Sequence, residues 1–293
     1  MTTQSVVTST SKEVIIIMNI INEIVERQIR QNIVEPLLQR DNEAAIANIS
    51  LVLDELYANI PDNKRISYGR VHTIKILAQY LYTQLCEKNA PIFQIATTIF
   101  DKNPEYRTTG VALGILSFYG LNDGYQQILP YFEKAASSEE WDVREFSQMF
   151  FRKIIKKYPE EMQQYFLRLA QSKDANIRRF VAEGLRPCIE NQWFYKHPEY
   201  PLKVLRHLFR EKNAYPRTSV GNNLSDLARQ LPELVEELVE ELVKSGDKNS
   251  YRIAYRACRN LVKKEPIRVM DLLKVNEYRY KKRVHTRRDY QGN

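Results

Sequence analysis

Glycine and proline are scarce, with 9 and 12 in 293 residues. Strands joined by tight turns use many of both, so their scarcity argues against an all-β fold. No convincing run of period-two alternation is present. Leu, Ile, Glu, Lys, Arg, Gln and Ala dominate instead, and these residues favour helix. The reading is an all-α chain, and 43% hydrophobic content is enough for a substantial core.

Cysteine is scarcer still. Cys86, Cys188 and Cys258 share no CxxC spacing and cannot make a full disulfide framework. They read as reduced core thiols of a cytosolic protein. His72, His197, His207 and His285 are scattered, with no HExxH and no His/Cys ligand spacing, so neither a metal nor a cofactor is expected. Neither GxxxxGK[ST] nor GxGxxG occurs, which removes support for nucleotide hydrolysis. The most apolar run, Val14 to Met18, is far shorter than the roughly 20 residues a bilayer requires. Lys12 precedes it but no small-residue cleavage site follows, so it does not read as a signal peptide. Residues 1–12 are rich in Ser and Thr and are expected to be a disordered tail.

Charge is unevenly spread. Residues 1–139 hold 12 Lys+Arg against 15 Asp+Glu, whereas residues 140–293 hold 32 against 21, a balance of +11 in the second half. The last sixteen residues carry six basic groups and one acid. A basic half on a soluble chain is an electrostatic footprint for phosphate. The expected organisation is one repeat domain over 13–275, followed by a basic tail over 276–293 that raises non-specific affinity for an anionic polymer.

A repeat is visible in the arginines. Arg70, Arg107, Arg144, Arg178, Arg217 and Arg252 each stand near the start of an apolar helical pattern, at spacings of 37, 37, 34, 39 and 35. Pro159, Pro232 and Pro266 each open a second helical pattern, where a missing N–H costs nothing. These are helical hairpins of HEAT size. One hairpin cannot bury its apolar face alone, so about six to seven are expected to stack into a curved α-α superhelix with a basic concave face. The repeated arginines are expected to bridge to acids of the neighbouring repeat.

Other positions fall on a different stripe. From Trp141 onward, Val143, Phe146, Phe150 and Ile154 make a core stripe, while Trp141, Glu145, Gln148 and Arg152 share another face. The corresponding stripes one, two and three repeats later are Arg179, Glu183 and Arg186, then Thr218, Asn222 and Ser225 or Asp226, then Arg256 with Arg259 or Asn260. Arg152, Arg179, Arg186, Arg256 and Arg259 are the phosphate candidates, with Asn222 and Asp226 beside them. Trp141 reads either as an exposed aromatic on that wall or as a core cap at a helix start.

The segments 140–146, 178–187 and 219–226 together resemble the bacterial DNA alkylation-repair glycosylases built on HEAT-like repeats. The resemblance is clearest over about residues 100–265 and weak over the first 60. It implies a cofactor-free enzyme, monomeric, in the bacterial cytoplasm or nucleoid, acting on double-stranded DNA. Such enzymes excise cationic N3- or N7-alkylated purines by hydrolysing the N-glycosidic bond. The family uses a Trp and, four residues later, an acid. Trp141 and Glu145 match that spacing and are the implied catalytic pair. A cationic base is attracted to an aromatic face, and a carboxylate stabilises the oxocarbenium-like sugar left behind. The chain departs from the better-known branch in having Asn222 where a second Trp stands, and Glu145 where some members have Asp. Two alternatives stand beside the enzyme: a non-catalytic DNA-binding protein for bent, branched or damaged duplex, and a protein-binding solenoid.

Overall fold

The computed structural model describes residues 20–102 and 105–290. The expected disordered tail over 1–12 and the apolar run from Val14 lie outside them. The regular elements among the described residues are helices, except for one C-terminal hairpin. The described residues divide into two compact units between Tyr131 and Phe132.

The first unit begins with helix α1 (23–38), which widens into a π turn over Arg30–Val34. Helices α2 (Asn42–Ala58), α3 (Asp62–Glu87), α4 (Ile92–Lys102) and α5 (Tyr106–Asn122) follow. Asn22 and Asp41 cap the first two, each side chain accepting from backbone N–H groups that have no partner within the helix. Gly69 breaks the helical geometry of α3 at φ 49°, a left-handed conformation that glycine adopts without steric cost. In α5 every residue from Thr108 to Ser117 is buried, because α3 and α4 both pack on it. Arg107 reaches Asp54 on α2 and also Glu105, which accepts from Ser50. This is the ion-pair role expected of a repeated arginine.

The second unit takes up helix α6 (Leu129–Ala136) from Phe132 onward, then α7 (Trp141–Lys157), α8 (Pro159–Leu169) and α9 (Ala175–Gly184). After a 3₁₀ stretch at Ile189–Tyr195 come α10 (Glu199–Leu205), α11 (Ala214–Leu227), α12 (Pro232–Lys244), α13 (Lys248–Leu261) and α14 (Pro266–Leu273). Pro159, Pro232 and Pro266 each sit in the first turn of their helix, as the sequence predicts. Helices α7, α9, α11 and α13 pack side by side in chain order, and the alternate helices form a second layer. An aromatic cluster of Phe132, Phe151, Tyr165, Phe166 and Phe180 joins α6 to α9, with ring centroids 5.2–5.9 Å apart.

The repeated arginines do something more local than the expected acid ladder. Arg144 donates to the carbonyls of Ser138 and Glu139, at 2.6 and 2.8 Å. Arg178 donates to those of Ser172 and Lys173, at 2.8 and 3.1 Å. Arg217 donates to those of Glu211 and Lys212, at 3.4 and 2.6 Å. The acceptors lie six and five residues back each time, in the turn entering the helix. Carbonyls near a helix end lack intrahelical donors, and one guanidinium satisfies two of them. Arg178 adds an acid bridge, donating to both oxygens of Glu211 at 2.6 and 2.9 Å. Arg144 and Arg217 have no acid, and turn instead to the Tyr215 hydroxyl and the Asn249 amide. Arg70 lies over the Tyr57 ring, and Arg252 is exposed.

Residues 276–290, expected to be a basic tail, are folded. Strands β1 (Glu277–Tyr280) and β2 (Arg283–Thr286) pair antiparallel, leaving Lys281 and Lys282 as a two-residue turn with Lys281 at φ 54°. Tyr278 anchors the hairpin. It is fully buried, stacks on Tyr255 at 4.5 Å and donates to the Tyr255 carbonyl at 2.9 Å. With four-residue strands and one buried position in β1, the alternation is too brief to read from sequence.

Two outcomes check these contacts. Tyr278→Ala removes the anchor, and should lower stability by about 3 kcal/mol, within the range for buried aromatic truncation. Urea unfolding measures the loss, and protease cleavage after Lys281 or Lys282 should accelerate. The second concerns Glu211. Burial pushes its carboxyl up, but hydrogen bonds from Arg178 and the Asn213 amide, with the charges of Arg178 and Arg217, outweigh burial and hold it below the ordinary range. Stability from this group is present above about pH 4.3, the unperturbed glutamate value, and is lost as pH falls through the lowered folded value. Glu211→Gln should therefore flatten the decline of urea midpoints between about pH 5 and pH 3. An unchanged decline counts against the pair.

Candidate nucleic-acid interface

Each first-layer helix of the second unit contributes to one connected row of polar side chains. On α7, the i, i+4 and i, i+3 spacings carry Trp141, Glu145, Gln148 and Arg152 along one face. Trp141 is 55% exposed at the start of the helix, so it is not a core cap. Glu145, one turn on, has both carboxylate oxygens engaged. Arg179 of α9 donates to one at 2.5 Å, and Gln148 donates to the other at 2.9 Å. The Gln148 carbonyl oxygen accepts from Arg152, which also donates to the backbone carbonyl of Glu183 at 3.3 Å.

On α9 the row continues through Arg179, Glu183 and Arg186. Arg179 is buried and lies over the Tyr215 ring, 4.5 Å from its centroid. Arg144 lies over the same ring at 5.5 Å. Glu183 is buried and meets Arg179 at 3.9 Å and Arg186 at 3.4 Å. Arg186 then donates to Asp226 of α11 at 2.6 Å. Burial pulls the Arg186 guanidinium down, but Glu183 and Asp226 outweigh it and hold it charged.

Asp226 is a buried hub. It also meets Arg229 at 3.1 Å and Arg259 of α13 at 3.4 Å. Asn222 accepts from Arg256 at 2.8 Å and from Arg259 at 3.1 Å. Arg259 ends the row on the hairpin, donating to the Tyr280 hydroxyl at 3.2 Å. That hydrogen bond, with the surrounding cations, holds the Tyr280 hydroxyl below the ordinary phenol range.

All the residues selected from sequence therefore lie in one network: Glu145, Arg152, Arg179, Arg186, Asn222, Asp226, Arg256 and Arg259, with Trp141 at its exposed end. Most of the arginines are not bare cations. Six (Arg152, Arg179, Arg186, Arg229, Arg256, Arg259) stand against four carboxylates (Glu145, Glu183, Glu190, Asp226), leaving a balance of +2. Four members escaped the sequence reading. Arg229 and Glu190 join through ion pairs with Asp226 and Arg152. Tyr215 and Tyr280 lie outside the stripes and join through cation–π contacts and hydrogen bonds from arginines. Trp193 belongs elsewhere, packing on Phe194 and Tyr200 at 4.4 and 4.8 Å.

No protein-family model and no curated protein sequence matches the chain. Solved structures do. The fold is similar to that of AlkD2 from Streptococcus mutans, with TM-score 0.52 and 20% identity over 64% of this chain and 89% of that one. It is also similar to the alkylpurine DNA glycosylase AlkC of Pseudomonas fluorescens, solved bound to DNA containing an abasic site analog. There the TM-score is 0.50 and the identity 17%, over 91% of this chain and 69% of that one. At such identities the likeness is one of fold, the all-α repeat fold expected from the arginine spacing.

The row depends on a close helix approach. A Cβ added at Gly221 on α11 would lie 2.8 Å from Cβ of Arg256, so α13 could not keep its place. The same Arg256 side chain holds Asn222. Gly221→Ala should cost about 1–3 kcal/mol, as overpacking does. Thermal unfolding measures the cost, and an unchanged midpoint would mean that the helices separate freely here.

Proposed function

We propose that the chain is a DNA-repair glycosylase that hydrolyses the N-glycosidic bond of cationic N3- or N7-alkylated purines in duplex DNA. The observation that carries this reading is the pairing of an exposed Trp141 with an oriented, partly accessible Glu145 at one end of an arginine-rich row. The likeness of fold to AlkC, a DNA-bound glycosylase, supports it.

The chemistry follows from the side chains. An alkylated purine carries positive charge, which already weakens its bond to C1′. The Trp141 face attracts that cation. As the C1′–N bond breaks, its electron pair goes to the base, which leaves neutral, and positive charge passes to the sugar. The Glu145 carboxylate faces that developing charge. Each of its oxygens has one hydrogen bond and retains a second lone pair, so it can also orient the attacking water and take its proton. Oxygen from water bonds to C1′. Arg179 and Gln148 hold the carboxylate in one orientation, so little reorganisation accompanies reaction. Arg152, Arg186, Arg256 and Arg259 supply the positive field that holds the phosphate backbone, a hold that weakens as salt rises.

One observation favours a second reading. Arg179 offsets part of the charge that Glu145 would offer a sugar cation. A protein that binds altered duplex DNA without excising a base would keep the same row.

Release of methylpurine from methylated duplex DNA decides between them. The parent chain should release base. Glu145→Gln, which keeps the side-chain shape, should lower the rate by about 10²–10³-fold, as loss of a transition-state electrostatic contact does. Duplex affinity should change only a few-fold. Trp141→Ala should lower release of cationic bases in the same assay. No release by the parent, with salt-sensitive binding intact, selects the non-catalytic reading.

A further inference from the structure

Positive charge also gathers outside the row from α7 to α13. Five cations line a cleft of about 400 Å³ between α13 and the hairpin. Arg217, Arg252, Arg256, Arg279 and Lys281 line this cleft, with Tyr280 on one wall, and no carboxylate is among its lining residues.

The partners of each cation show how much charge remains. Arg217 donates to backbone carbonyls and the Asn249 amide, which are neutral. Arg256 donates to the neutral Asn222 amide. Lys281 lies over the Tyr280 ring at 5.8 Å. Arg252 is exposed. Of the five, only Arg279 forms an ion pair among the described residues, with Glu277. Arg217 feels the charge of Glu211 without bonding to its carboxylate, and Arg252, Arg256 and Lys281 make no ion pair with a described carboxylate. The lowered Tyr280 hydroxyl reports the same field, with Arg259 the largest contributor and Lys281 and Arg256 adding to it.

Like charges crowded together repel, so the anion that relieves them best is compact and more than singly charged. A backbone phosphodiester carries one negative charge. A phosphomonoester carries about −1.5 to −2 at neutral pH, with three oxygens able to accept from guanidinium groups. We propose that this cleft is a binding site for a phosphomonoester: the phosphorylated end of a DNA strand, or a free nucleoside monophosphate. A second cleft of about 560 Å³ shares Tyr280 and Lys281 with the first, and provides room for the attached sugar and base. Tyr280 offers a stacking face between the two.

The cleft shares Arg256 with the row, but Arg252 and Lys281 lie outside the row, so variants at those two separate this site from the glycosylase reading. The test uses fluorescent duplexes bearing a 5′-phosphate, a 3′-phosphate or only hydroxyl ends, bound to the full chain with dAMP or inorganic phosphate as competitor. A phosphorylated end should bind at least about 10-fold tighter than the hydroxyl end, the discrimination of about 1.4 kcal/mol in binding. Arg252→Ala and Lys281→Ala, neither of which removes an intraprotein ion pair, should each shrink that preference, while methylpurine release stays at the parent level. Displacement by dAMP without any end preference assigns the site to a free nucleotide. Equal affinity for all three duplexes, with no competition by dAMP or inorganic phosphate, overturns the proposal whatever the base-release assay shows.

Discussion

Every helix that ends leaves carbonyl oxygens without donors, and at three turns of the second unit an arginine from the next helix meets that demand. In the second unit the device recurs at Arg144, Arg178 and Arg217, always reaching back to the fifth and sixth residues before it. A planar guanidinium can donate to two carbonyls at once, which a lysine cannot do with fixed geometry. The contact therefore sets the entry angle of α7, α9 and α11, as well as satisfying carbonyl acceptors in the turns before them. Because α7, α9 and α11 all start from the same lock, the faces that follow it come into register. The residue next to the lock on α9, Arg179, then points along the row toward Glu145.

Register brings charges together, and low solvent exposure raises the stakes. Glu183 and Asp226 have side chains only 6% exposed, so each would be costly without cations. Their arginine partners are shared: Arg186 touches both, and Arg259 links Asp226 to the hairpin. Such a network positions its members more than it attracts a ligand. Its net charge of +2 is small for six arginines. Arg179 illustrates the compromise, since it orients Glu145 and at the same time offsets its charge. A glycosylase with this geometry would gain from preorganisation what it gives up in raw field.

Much of this was legible in the sequence. Arginine spacing predicts the repeat, prolines at first helical turns predict the second-layer helices, and the i, i+4 stripe predicts that Trp141 and Glu145 share a face. Other features depend on information that spacing does not carry. The reading of the repeated arginines as an acid ladder holds for Arg107 and Arg178, but not for Arg144 or Arg217. Whether an arginine meets a carbonyl or a carboxylate depends on a turn conformation, and the residue letters in that turn do not specify it. Tyr215 was missed because it lies at the very start of α11, ahead of the polar stripe, and matters only through arginines of α7 and α9. The hairpin was missed because two four-residue strands rich in charge resemble a solvated tail until Tyr278 is seen buried.

Composition gave the sign of the second half's charge, but structure decides where that charge can act. An arginine already holding an acid must break or share that contact to bind phosphate, which reduces the net gain. An arginine held only by neutral carbonyls or amides keeps its full charge while its geometry is fixed. The row from Glu145 to Asp226 consists largely of the first kind, whereas Arg217 and Arg256 in the cleft beside the hairpin are of the second. One face of the unit is thus suited to aligning groups around a reacting centre. The neighbouring face is suited to gripping an anion. The hairpin adds Arg279 and Lys281 to cations that the helical repeat already supplies, and it encloses them against α13. A basic tail left unfolded would spread those charges through solvent, where salt screens them within about 10 Å at 0.1 M ionic strength. Folding it onto Tyr255 turns a diffuse attraction into a localised site.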